Sequence, residues 1–400
     1  MTTRKFWNAS ILSLPSLELR SNADGGYISG NYGSVTFAPD AFSGAPPLKL
    51  DVDLRFGITS ATAFLIYKGS LLLREYKPLE ITYDVWEPER TEKLLDEGTD
   101  ENGDDCVLPL VIGTVNHMNP QRTGSDTTNT YHRPDFYGEI GTDWHAYDDG
   151  VLIDDNWTDN GDGTITRSVD IVGELTFSGT GNITNIGQLF KWACDRLSLT
   201  FQNLHGGDIP LDCVITSQEI LISFLERVAW YCGYIFYLYE DEGVDVLRLV
   251  SLDQNNGVSY IEQFDAVSIT YSWSDSRIKS YSAQWTVREA ADGAIQEREI
   301  ERKVFGQSAV VGEELELPYV FNEDPELVET RLDWILAYEE KPVVQMDIPL
   351  IRMPQPGEEV WFSDRRIQVD AVGSMRITNI NLNYKEKSVT LQGRGDVTIT

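Results

Sequence analysis

MPQPGEEVWF (Met353–Phe362) and, a little further on, ITNINLNYKEKSVTLQG (Ile377–Gly393) decide how the last part of this chain folds. Pro356-Gly357 is turn chemistry, because proline presets φ and glycine tolerates the conformation that closes a tight turn. The chain then enters Glu359–Phe362 as a strand. Ile367, Val369 and Ala371 alternate with their neighbours, as do Ile380, Leu382 and Tyr384. Val389 and Leu391 answer across the Lys385–Ser388 turn. Period-two alternation over successive strands marks sheet with one face buried, and it predicts a small closed barrel.

Upstream, the period changes. Val328, Leu332, Ile335 and Leu336 share one face of a helix, with Asp324 as cap, Pro325 at its first turn and Pro342 beyond its end. Ile186, Leu189, Phe190, Ala193, Cys194 and Leu197 follow the spacing i, i+3, i+4, i+7, i+8, i+11. Leu221, Phe224, Leu225, Val228, Ala229 and Cys232 repeat it, so two amphipathic helices are expected. Ser217 is the expected N-cap of the second, and Gly233 its expected stop. Tyr234–Tyr239 and Val244–Ser251 form a hairpin over the acidic turn Glu240–Gly243.

The front of the chain is β again. Leu50–Leu54 alternates strictly, and Ala63–Tyr67, Ser70–Arg74 and Leu79–Trp86 follow, with Gly69 and Pro78 as punctuation. Thr91–Asp105 carries seven acids and one base and reads as a solvated linker or loop. Cys106–Val115 is an expected apolar strand. Met118–Asp162 reads as long loops with scattered strands, ending at a turn, Asn160–Gly163, that leads into the strand Thr164–Ile171. The expected organisation is a β-rich domain with acidic linker (1–105), a loop-rich β domain (106–180), a helix–helix–hairpin module (181–258), and a C-terminal β-barrel domain with an inserted helix at 324–341 (259–400). The fold class is mainly β with an α+β middle.

Four hundred residues with 41% hydrophobic and 11% aromatic content suit two to four packed domains and exclude a disordered chain. No run approaches the ~18 apolar residues of a membrane helix. The N-terminus, MTTRKFWNASILSLPSL, lacks the apolar core and cleavage site of a secretion signal, so synthesis in the cytoplasm is expected. The 64 acids and 32 bases give a net charge of −32. Tight binding of duplex phosphate is not expected, because it runs on Lys and Arg displacing counterions. Arg365-Arg366 and Arg298–Lys303 are local exceptions and read as strand edges or interface charges.

No catalytic, cofactor-binding or metal-binding residue is assigned. His117, His132, His145 and His205 match no ligand spacing, and no GxSxG is present. Cys106, Cys194, Cys213 and Cys232 form no CxxC and are expected as free thiols, mostly buried. Gly179-Thr180-Gly181 lies between a strand and a helix, but Thr184 replaces the third glycine and no phosphate-binding Lys follows, so a plain turn is expected. Asp148, Asp149, Asp154, Asp155, Asp159 and Asp162 form an acidic run. Trp157 breaks the EF-hand pattern counted from Asp155, and a solvated loop is expected.

Four stretches carry a resemblance, among them Met353–Gly393, quoted above. Gly57–Trp86 resembles the opening strands of phage tail-tip and baseplate hub proteins of the siphophage and gene-transfer-agent type, the N-terminal hub part of megatron-like proteins. Leu108–Pro120 (LPLVIGTVNHMNP) is similar to that family's glycine-and-proline stretch, and Thr216–Asp253 to its middle module. The resemblance implies two tube-type barrels flanking a helical module, and a non-enzymatic virion protein of the tail tip, assembled in the host cytoplasm. It implies a homotrimeric ring beneath a hexameric distal tail protein, holding the C-terminus of the tape measure protein until DNA ejection. Tail fibre or tip proteins are implied partners, DNA passes through the lumen without specific binding, and no segment spans a membrane. Three further classes stand beside it: another distal-tail or adaptor component, a carbohydrate- or receptor-binding adhesin using aromatics of Trp144–Trp157, and a cell-wall hydrolase with paired carboxylates.

Overall fold

The computed structural model describes residues 11–13, 17–21, 28–32, 34–42, 45–56, 64–86, 92–123, 129–203, 208–241, 244–253, 258–261, 268–272, 280–288, 295–303, 312–316, 325–349, 355–364, 371–383 and 388–399. The expectations for Asp324, His205, Ile367, Val369, Tyr384, Arg365-Arg366 and most of the Lys385–Ser388 turn lie outside them.

Seven strands open the chain: β1 (Ile11–Ser13), β2 (Leu17–Ser21), β3 (Ile28–Tyr32), β4 (Ser34–Phe37), β5 (Lys49–Phe56), β6 (Phe64–Lys77) and β7 (Glu80–Trp86). Five of them form an antiparallel sheet in the order β1-β4-β7-β6-β5. Gly69 does not break β6, because it pairs with Val52 in mid-strand. Val35, Phe37, Leu71, Ile81 and Tyr83 meet on the buried face, where Phe37 and Tyr83 pack edge to face at 5.8 Å. β2 and β3 leave this sheet altogether, as described below.

The acidic stretch after β7 is not a plain linker. Leu94 and Leu95 are buried in the largest core cluster of the described residues, although they sit between Lys93 and Asp96. Gln218 holds Leu95 by both backbone groups, and Leu94 N–H donates to Glu219 O. Two adjacent leucines gain more from burial than the short charged flanks lose, since the flanking acids remain in water. β8 (Glu97–Thr99) and β9 (Asp105–Val107) close a hairpin immediately after this anchor.

The expected strand Cys106–Val115 is three pieces: β9, β10 (Leu110–Ile112) and β11 (Thr114–Met118). Pro109 carries no N–H, and Gly113 takes φ +68. A Cβ at Gly113 would lie 1.8 Å from Leu211 O, so only glycine fits the corner. Then come β12 (Thr130–His132), β13 (His145–Asp148), β14 (Val151–Leu152), β15 (Trp157–Asp159), β16 (Thr164–Arg167) and β17 (Leu175–Thr180). They form a four-stranded sheet, β11-β17-β13-β14, and a three-stranded sheet, β12-β16-β15. β16 stops at Arg167, short of the expected Ile171. Trp144, Phe136, Phe177 and Ile165 fill the core between these sheets.

α1 (Ile186–Leu197) buries all six residues read from its periodicity, and Asn185 caps it by accepting from Gln188 N–H. β18 (Thr200–Asn203) and β19 (Cys213–Ile215) precede α2 (Leu221–Tyr231). Ile220, not Ser217, occupies the N-cap of α2, with no side-chain cap. Ile220 bridges Lys93, and Leu221 N–H donates to Glu92 O. The acidic segment thus satisfies an orphan donor that a serine would otherwise take. Gly233 ends α2 at φ +74, as read. The hairpin β20 (Tyr234–Asp241) and β21 (Val244–Ser251) follows, with β18 added in parallel to β21.

The last elements are β22 (Val258–Ile261), β23 (Ser268–Ser272), β24 (Ser280–Arg288), β25 (Ile295–Lys303), β26 (Gly312–Glu316), α3 (Pro325–Glu340), β27 (Val343–Pro349), β28 (Glu359–Asp364), β29 (Ala371–Asn383) and β30 (Ser388–Ile399). The main sheet runs β22-β28-β29-β30-β27-β23, and β24 lies between β25 and β26 in a separate one. Among the described residues no β22–β23 pairing closes the expected barrel. A bulge between Ile377 and Asn379 divides β29. Its first half pairs with β28, while Asn379–Leu382 pairs with β2, which carries β3 on its other edge. The C-terminal sheet is therefore composite, and the hairpin β2–β3 crosses the boundary drawn at residue 105.

α3 also crosses a boundary. Val328, Leu332, Ile335 and Leu336 join the same core cluster as α1 and α2. Trp334 and Tyr338 stack at 5.3 Å, and with Trp230, Ile235, Tyr237 and Val250 they fill the joint between the hairpin β20–β21 and α3. Arg331, almost wholly buried, donates to Cys232 O at the end of α2. That bond needs the glycine turn after Cys232, because a Cβ on Gly233 would crowd Arg331 and Trp334.

Candidate functional site

The acidic run resolves into a set of loop fasteners. Asp149-Gly150, both at positive φ, make the two-residue turn between β13 and β14. The Asp148 carboxylate accepts from the N–H groups of Val172 and Gly173, at 3.0 and 2.6 Å. Asp149 accepts from Glu174 N–H at 2.8 Å. Asp154 accepts from Ala146 N–H and meets His145 Nδ1 at 2.6 Å. Asp155 lies 3.6 Å from buried Arg167, and Asp159 lies 3.1 Å from Arg133. Asp162 accepts from the N–H and hydroxyl of Thr164, which hold its carboxyl below the usual carboxylate range. Charge-assisted bonds to backbone N–H groups are among the stronger local fasteners. These carboxylates engage separate partners, and no group of three or more His, Cys, Asp or Glu that could hold a metal occurs among the described residues.

The three described histidines do not converge. His117, buried at φ +50, places Nδ1 2.9 Å from Thr176 Oγ1. His132 Nε2 lies 3.0 Å from Thr99 O, and His145 belongs to Asp154. The glycines of Gly179-Thr180-Gly181 are packing positions. A Cβ at Gly179 would lie 2.5 Å from the Trp144 side chain, and one at Gly181 would lie 2.6 Å from Val111 O. The aromatic groove expected of an adhesin is not formed by Trp144, which is 1% exposed. Trp157 is half-buried, with its indole N–H donating to Ile153 O.

Cys194, Cys213 and Cys232 are buried free thiols in the helical core, and Cys106 is half-buried. Burial pushes Cys194 and Cys232 up to about 12 and raises Cys213 as well. These thiols keep their protons in the folded state at pH values where the unfolded chain releases them. Their contribution to stability is complete below the ordinary thiol pKa and is lost as pH rises from there towards 12. Denaturant unfolding at pH 8 and pH 10 is expected to differ by roughly 1 kcal/mol per buried thiol, with the lower stability at pH 10. In the folded protein at pH 8, a thiol reagent is expected to reach Cys106 before the three buried thiols, although burial and the nearby Asp100 and Asp105 raise the Cys106 pKa and slow the reaction.

A cleft of about 290 Å³ lies where α3 meets β29 and β30, lined by Asp253, Trp334, Tyr338, Glu359, Arg376 and Arg394 among others. Its charges are mutually engaged. Arg394 donates to the carbonyls of Glu339 and Lys341 and pairs with the Glu339 carboxylate. Lys341 lies 2.9 Å from Asp396, and Arg376 lies 3.6 Å from Glu359. Burial lowers the Arg376 pKa and raises that of Asp253, while their charged neighbours oppose both shifts. This arrangement stakes α3 to the C-terminal sheet. It does not resemble a catalytic acid and base set apart for proton transfer.

The features brought out by the structure are thus surfaces and joints of a mainly β protein built from several sheets around a helical core. No family model matches the chain, and no curated protein matches it. Among solved structures, the chain is similar to the tail protein from Neisseria meningitidis MC58, at 11% identity over 60% of this chain and 77% of that one, with a TM-score of 0.39. It is similar to a chain from the virion of a native gene transfer agent particle, at 11% identity over 78% and 89%, with a TM-score of 0.46. A third is the 43 kDa tail protein of prophage MuSo2 from Shewanella oneidensis, at 12% identity over 97% and 94%, with a TM-score of 0.38.

The sequence pointed to no surface residues in the loop-rich domain beyond its acids and aromatics. Val151, Leu152 and Val172, all exposed, were missed. The available signal was Asp149-Gly150 between two apolar-containing segments, which is a hairpin turn and places Val151-Leu152 on its second strand.

Proposed function

We propose that this chain is a structural, non-enzymatic hub protein of a phage tail tip or baseplate. Three copies form a ring that joins the distal tail ring above to tip and fibre proteins below and surrounds the DNA path. The composite C-terminal sheet carries this reading. The N-terminal segment supplies β2 and β3 to the sheet formed by β27–β30, while β1 and β4 on either side of that hairpin remain in the N-terminal sheet. One chain thus holds two sheet units together. Three such chains, related by a closing heterologous contact, present six sheet units to a six-fold neighbour.

Charge supports the DNA path. A net charge of −32 repels phosphate over roughly 10 Å at moderate salt, which favours passage over retention. The fastened loops and interlocked joints also suit a part that works by shape. The experiment that tests this reading is the copy number of the purified chain: three, arranged about a hole.

A further inference from the structure

We infer that the open edge of β14, with Val172 beside it, is a docking strand for an extended, basic and β-branched segment of a partner protein. β14 ends the sheet β11-β17-β13-β14 and, among the described residues, pairs only with β13. Ile153 N–H donates to Ala146 O across that pair. Antiparallel ladders alternate, so Leu152, one residue earlier, turns its own N–H and C=O away from β13 to the open side. Val151 is 66% exposed, Leu152 55% and Val172 92%. Val172 belongs to the same tip, because its N–H is held by Asp148, the residue paired with Val151. The tip is preformed: Asp148, Asp149 and Asp154 fasten its loops through backbone bonds, so a partner meets an ordered edge.

Charge selects the occupant. Residues 139–174 contain ten acids and a single Arg or Lys, Arg167, which is buried. Asp149, Asp155, Asp170 and Glu174, within a few residues of Val151, Leu152 and Val172 along the chain, are exposed. A second copy of the same tip would bring like charge to like charge, and an anionic membrane surface would be repelled in the same way. A strand with Lys or Arg alternating with Val or Ile matches both the apolar residues and their rim, and adds to the sheet by main-chain bonds. This surface does not depend on the ring proposed above.

The test uses the full chain and a capped nine-residue peptide alternating Lys and Val, with its Glu–Val counterpart as control, read by fluorescence anisotropy and by amide shifts of residues 151–153. The expected result is binding of the Lys–Val peptide at least ~10-fold tighter than the Glu–Val peptide, with shifts confined to this edge. Leu152→Pro removes only an outward-facing N–H and is expected to weaken binding ~10-fold or more while the fold persists. Val172→Ser, which leaves the strand intact, is expected to weaken it at least ~3-fold and serves if the proline variant does not fold. Equal binding by all variants would mean attraction to net charge alone and would overturn the inference. So would absence of binding, or a self-association that Val172→Ser abolishes.

Discussion

Gly393→Val is expected to unfold the C-terminal sheet. Gly393 lies in the middle of β30, opposite Ile377 on β29 and Val344 on β27. A Cβ there would sit 1.7 Å from Arg376 O and 2.6 Å from Arg376 C. Both are backbone atoms of a strand paired on both edges, so neither can swing aside as a side-chain end would. Relief requires β29 and β30 to part, and the core of Ile377, Ile380, Leu382, Val389 and Leu391 depends on their contact. Overpacking that displaces backbone costs about 3 kcal/mol or more. The thermal transition of the C-terminal unit is expected to fall by roughly 10 °C, or the variant to be recovered as aggregate. A melting curve like that of the parent would mean that β29 and β30 are not in this register.

Leu19→Pro is expected to detach the N-terminal segment from the C-terminal sheet. Leu19 pairs with Ile380 on one side and Gly30 on the other, so its strand is interior to the composite sheet. Proline has no N–H and is tolerated only where that group faces solvent. The loss, on the order of 2–4 kcal/mol, falls on a pairing that joins the two ends of the chain. Hydrogen exchange reads it directly. Amides of residues 379–382 that point towards β2 are expected to exchange roughly 100-fold faster, while those of β27 keep their protection. Unchanged exchange at 379–382 would remove the composite sheet and, with it, the main support for the hub reading.

The helices were legible because each rests on a local period. All six apolar positions of α1 are buried, as are Val328, Leu332, Ile335 and Leu336 of α3. Strand alternation likewise placed Ile380 and Leu382 opposite Leu391 and Val389. What could not be read depends on partners far away in sequence. Nothing within Leu17–Ser21 announces that, with β3 on one edge, it pairs on the other with Asn379–Leu382 and not within the N-terminal sheet. Leu94-Leu95 is hidden because the surrounding charge sets the average of any window, while Gln218 and Ile220, which receive it, lie more than a hundred residues away. The cap of α2 was misassigned for the same reason, since its donor is satisfied by Glu92 from another segment. The acidic run was read as loop, whereas Asp148 ends β13 and Asp159 ends β15, and the task of each aspartate follows from turns that only the folded chain brings together.

The account stands most directly on the copy number and symmetry of the assembled protein. Light scattering on the purified full-length chain, followed by electron microscopy of the same peak, measures both. The account predicts three times the 45.1 kDa chain mass and a ring with a central hole, with six sheet units around it. A monomer at high concentration, or a closed particle without a hole, would contradict it.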